Sequence, residues 1–130
     1  MLDLRYRRAW LGAVWLLVIA IVAASLWPTP VSAAEPGIDK LAHFAAYLLL
    51  AMLGAGIVAA GDVWRAMLRT FLLSLVLEAA QATLTASRSA EWADLAANAA
   101  GILTAWGLIA AGLAEWARRI EAWLTGRRDH

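Results

Sequence analysis

The sequence predicts an all-α integral membrane protein, a four-helix bundle followed by a C-terminal amphipathic helix at the membrane interface. Hydrophobic residues fill 63% of 130 positions and charged residues 16%, with a mean hydropathy of +0.68, more apolar surface than a soluble domain of this length hides in one core. Four apolar stretches each approach the roughly 20 residues that a helix needs to cross the hydrocarbon. The Lys and Arg residues segregate between the connections as the positive-inside rule expects. One domain, residues 1–130, accommodates all of this, with no internal repeat and no low-complexity tract.

The first expected span covers 9–27, the second 41–60, the third 66–85 and the fourth 95–114. Pro28, Pro30, Pro36 and Gly37 break the chain after the first, Gly61 and Asp62 after the second, and Ser87 to Glu91 after the third. The alanine richness suits membrane helices, where small residues let backbones approach. In the tail, 115–128, helical spacing puts Leu113, Trp116, Ile120, Trp123 and Leu124 near one face, with Glu115, Arg118, Arg119 and Glu121 largely elsewhere. Such a helix is expected on the inner leaflet.

Of the eleven Lys and Arg residues, Arg5, Arg7, Arg8, Arg65, Arg69, Arg118, Arg119, Arg127 and Arg128 fall on one side of the spans, and Lys40 and Arg88 on the other. Both termini are therefore expected in the cytoplasm, with the first and third connections facing outward. Trp27 and Trp92 stand at outer boundaries and Trp10, Trp64 and Trp116 at inner ones, as aromatic belts do. A competing reading is a cleaved secretory signal, from the early arginines and Val31-Ser32-Ala33. The apolar run exceeds the 7–15 residues usual for a signal core, and cleavage would leave the other spans in the same orientation.

The polar residues of the spans gather at the outer side. Residues three and four apart share a helical face, so Asp39, His43 and Tyr47 form one stripe, Glu78, Gln81 and Thr85 a second, and Asp94, Asn98 and Gly101 a third. Glu78 lies about 10 Å inside the outer end of its span, where an unpaired carboxylate is costly. His43 and Arg88 are its expected partners. Plainer readings exist: Asp39 and Asp94 as helix caps, Tyr47 and Gly101 as packing, Glu78 and Asn98 as interhelical hydrogen bonds. Structural hydrogen bonding alone gives no reason for three stripes to meet at one leaflet, which favours a ligand-binding site. The inner half reads as dry and structural.

These residues also carry a family resemblance. DKLAHFAAY from Asp39 to Tyr47, EAAQ from Glu78 to Gln81, Arg88 seven residues later and DLAANAAG from Asp94 to Gly101 together resemble the VanZ-like membrane proteins over roughly 38–106. Ala86-Ser87 stands where the family often has Pro or Gly, and Ala105 where a second Gly is common. The resemblance implies a link to lowered sensitivity to lipoglycopeptides such as teicoplanin, without a settled biochemical activity. It also implies that Asp39, Lys40, His43, Glu78, Gln81, Arg88, Asp94 and Asn98 form a shared polar set.

The chemistry of that set favours a phosphate-bearing lipid or lipid-linked cell-wall precursor. Lys40 and Arg88 are cations at headgroup level, and Arg offers phosphate a bidentate fork. The alternative is an intramembrane enzyme with His43 as acid or base and Glu78 or Asp94 as its orienting carboxylate. No Ser or Cys joins the set, and cysteine is absent from the chain. A purely structural membrane protein is the third reading. No cofactor, metal ion or nucleic acid is expected, and membrane lipids are the expected partners.

Overall fold

The computed structural model of the protein describes residues 1–27, 36–84 and 92–126. Among them are five α-helices and no strand: α1 (Arg7–Leu26), α2 (Pro36–Gly56), α3 (Val63–Leu84), α4 (Trp92–Leu108) and the short α5 (Trp116–Leu124). The segments Arg7–Leu26, Gly37–Gly56, Ala60–Leu84 and Trp92–Leu113 are each long and apolar enough to cross a membrane. The chain is thus an all-α bundle of four spans with a small terminal helix.

Local chemistry explains the boundaries. Trp27, just past α1, is extended at φ −69° and ψ 128°, the conformation forced on a residue that precedes proline. Helix α2 begins at Pro36 rather than near Leu41, because proline at the first helical position brings a preset φ and lacks only an N–H that would have no partner there. Asp39 therefore sits within the first turn of α2. Gly61 and Asp62, expected as a plain connection, form a 3-10 turn over Ala60–Asp62 that runs into α3, and Asp62 accepts from Arg65 at 2.6 Å. Helix α4 continues as a π turn over Ile109–Leu113 and ends where Gly112 takes φ 117°, a left-handed conformation open to glycine.

Helices α2 and α4 make the closest contact. A methyl group on Gly101 would collide with the Phe44 carbonyl oxygen and lie 2.9 Å from the Leu48 nitrogen, so the missing side chain sets the interhelical distance. Around this axis Tyr47, Leu50 and Ala51 of α2 pack with Met67 and Leu77 of α3 and with Ile102 and Ala105 of α4. Helix α1 lies outermost; Trp15, Leu16 and Ile19 are each more than 60% exposed, as lipid-facing residues are.

The Arg-rich end is closed by Leu2, Leu4 and the α5 segment. The Leu2 N–H donates to the Ile57 carbonyl at 3.0 Å, and Leu2 and Leu4 pack with Ile57 and Ala117. Trp116 lays its ring against Gly56 and donates its indole N–H to the Met52 carbonyl near the end of α2 at 2.9 Å. Ile120, Trp123 and Leu124 of α5 remain exposed, consistent with an interfacial helix. Glu121, expected on the polar side, is instead buried. Its carboxylate accepts the backbone N–H of Arg5 at 2.7 Å, that of Tyr6 at 2.9 Å and the Trp10 indole at 2.7 Å. Helix α1 has no side-chain cap from its own N-cap residue, and the α5 carboxylate instead holds the two residues just ahead of it.

Candidate functional site

At the opposite end, the first turns of α2 and α4 meet the last turns of α3. The helical period places Asp39, Lys40 and His43 on α2, Glu78 on α3, and Asp94 and Asn98 on α4, and bundle packing brings them together. The ammonium of Lys40 pairs with the Asp94 carboxylate across the interface and lies 3.4 Å from Asp39. Nε2 of His43 is 4.0 Å from both the Asp39 and the Asp94 carboxylates. The two aspartates thus turn toward a shared cation and a shared imidazole.

Deeper in the bundle, Asn98 stands between His43 and Glu78. Its Oδ1 lies 3.0 Å from His43 Nδ1, and its Nδ2 donates to Glu78 Oε1 at 3.4 Å. Glu78 was expected to meet His43 or Arg88; its Oε1 is 4.0 Å from His43 Nδ1, with the amide as the closer partner. Glu78 is 8% exposed and Asn98 1%. Oε2 of Glu78 has no hydrogen-bond partner among the described residues, an acceptor that a buried site normally satisfies.

Gln81 donates to the Ser25 carbonyl of α1 at 2.8 Å, so the site reaches a fourth helix that the polar stripes did not include. Arg88 and Thr85 lie outside the described residues. Tyr47 belongs to the core and Gly101 to the α2–α4 contact. Helix α3 carries its polar stripe further inward than expected: Thr70 and Ser74 are buried below Glu78. The hydroxyl of Thr70 bonds back to the Ala66 carbonyl at 3.0 Å, whereas that of Ser74 lacks a partner among the described residues. The inner half is therefore not uniformly apolar.

Between α1 and α2 a groove of about 380 Å³ runs up to the site, lined by Ala20, Ala24 and Ser25 on one wall and Asp39, His43 and Ala46 on the other. Alanines one turn apart on both helices hollow it out. The spacing of Ala20 and Ala24 was the available signal for this surface, but α1 has no polar stripe to draw notice. One ligand atom each from Asp39, His43 and Asp94 falls within 4.8 Å of the others, a spacing suited to a divalent ion. The cation that the structure puts there is Lys40, bridging the two aspartates.

Neither the curated proteins nor the solved structures include a match to the chain. The family model described as VanZ/LLP1 matches residues 6–114, from the start of the first span through the end of the fourth, and on that match the chain belongs to the VanZ/LLP1 family.

Proposed function

We propose that the polar cluster and the α1–α2 groove together bind an anionic, phosphate-bearing membrane lipid or lipid-linked cell-wall precursor at the outer leaflet of a bacterial plasma membrane. The observation that carries this reading is the shape of the groove: apolar along its length, with Asp39 and His43 at one end. An amphiphile has that same division. Its chain would lie against the alanines, and its headgroup would meet Lys40 and, beyond α3, Arg88, where phosphate gains charge-assisted hydrogen bonds. The glutamate and aspartates position the cations. The distribution of Lys and Arg supports cytoplasmic termini and an outward-facing site. Occupancy would alter how envelope-directed antibiotics, glycopeptides among them, reach their targets.

Native mass spectrometry of protein taken from the membrane in nanodiscs tests this. A retained anionic or polyprenyl-phosphate lipid, lost in Lys40→Ala or Arg88→Ala, is the expected result. Retention indifferent to both cations would overturn it. A second reading, an enzyme acting on the same lipid, draws on the His43 imidazole held between two carboxylates, an arrangement suited to proton transfer. Incubating the retained lipid with the protein and looking for product separates the two.

A further inference from the structure

The hydrogen-bond chain from Glu78 to His43 has a direction, and that direction sets what the end of the groove can recognise. A carboxylate only accepts, so the Asn98 amide turns its NH₂ to Glu78 Oε1 at 3.4 Å. Its carbonyl oxygen then faces His43 Nδ1 at 3.0 Å. That oxygen also only accepts, so Nδ1 must carry the hydrogen. In a neutral imidazole the other nitrogen, Nε2, is then an acceptor. Around Nε2 stand the Asp39 and Asp94 carboxylates, each 4.0 Å away, too far for a hydrogen bond and themselves acceptors. Among the described residues, Asp39 from α2, Glu78 from α3 and Asp94 from α4 are the charged groups placed against the ring, each 4.0 Å from a ring nitrogen, with Asn98 as the neutral link and Lys40 paired to both aspartates.

We propose that Nε2 of His43, held as an acceptor by Asn98 and Glu78, receives a hydrogen bond from a hydroxyl or ammonium group in the headgroup of the bound lipid. The inference rests on the lipid-site reading for its ligand. It adds a selectivity that phosphate recognition lacks: among lipids of equal charge, the site prefers one whose headgroup carries a donor. Asn98 is the positioning residue, since its amide dictates which ring nitrogen is protonated.

Two measurements on the full chain test this. The chain has two histidines, so His130→Asn leaves His43 as the sole source of ¹⁵N-histidine signals. In nanodiscs near neutral pH the wild-type site should show Nδ1 protonated and Nε2 bare, and Asn98→Ala should remove that preference. A ring protonated on Nε2, alone or together with Nδ1, would overturn the proposal. It would mean that the amide is reversed, with a proton on Glu78, or that the imidazole is charged.

The second measurement needs no site variant. Phosphatidylcholine nanodiscs doped equally with phosphatidylglycerol and phosphatidylmethanol offer two anionic diesters that differ in headgroup hydroxyls. Native mass spectrometry should find phosphatidylglycerol retained about three- to tenfold over the methyl ester, the worth of one net hydrogen bond. Equal retention of the two anionic lipids over phosphatidylcholine would overturn donor recognition while leaving the phosphate reading in place. Retention of neither would overturn both.

Discussion

Lys40 on α2 and Asp94 on α4 form an ion pair across the tightest helix interface of the bundle, with side chains 28% and 11% exposed. Removing one partner leaves a charge stranded where water reaches poorly. Lys40→Ala should destabilise the protein by up to about 3 kcal/mol, and Lys40→Ala with Asp94→Asn should recover most of the loss. Thermal unfolding in detergent, compared across the three variants, reads this directly. Full additivity of the two single effects would show that the pair contributes nothing as a pair.

Gly101 presents backbone to the Phe44 carbonyl and the Leu48 nitrogen. Gly101→Ala should therefore cost about 1–3 kcal/mol, because backbone cannot step aside as a side chain can. Gly12 on α1 meets nothing within 4 Å of an added methyl and is the matching control. Unfolding midpoints of Gly101→Ala and Gly12→Ala should separate clearly; coincident midpoints would refute the close α2–α4 approach.

Ser74 is fully buried at 0% exposure, and its hydroxyl has no partner among the described residues. Ser74→Ala removes that unsatisfied group at little cost in volume, so stability should hold or rise by roughly 1 kcal/mol. A marked loss would reveal a hydrogen bond on which the bundle depends.

Much of the architecture is legible in the sequence. Apolar length and the 3.6-residue period depend only on local sequence, so the four spans and the stripes holding Asp39, His43, Glu78, Asp94 and Asn98 could be read directly. Which members of those stripes touch depends on the register between helices. That is why Asn98, and not Glu78, turned out to stand closest to His43. The part of α1 in the groove was invisible because it offers mostly apolar side chains and one backbone carbonyl, that of Ser25. Glu121 was misplaced for a related reason. Two of its three donors are backbone N–H groups, and no side-chain pattern advertises those.

The Glu121 carboxylate gives a pH prediction. Burial pushes it upward, but the Tyr6 N–H, the Trp10 indole and the Arg5 N–H together hold it below the ordinary carboxylate value. A depressed folded-state value means that its stabilisation is complete above the unfolded-state value of about 4.5. It is then lost as pH falls through the lower folded-state value. Hydrogen exchange at Arg5 and Tyr6 should stay slow, relative to the intrinsic rate, through neutral pH and accelerate only on strong acidification. Glu121→Gln should show roughly tenfold faster exchange already at neutral pH, since the charge-assisted bonds are weakened. Indifference of these amides to the substitution would break the assignment.

The bond between Trp10 and Glu121 joins positions 111 residues apart. During synthesis at roughly 5–20 residues per second, residues 5 and 6 are made on the order of ten seconds before the carboxylate that holds them. Until then the N–H groups of Arg5 and Tyr6, just ahead of α1, depend on water or lipid headgroups. Helix α5 thus fixes the entry to the first helix only after all four spans have been made, and a chain cut before Glu121 would leave the Arg5 and Tyr6 N–H groups without their acceptor.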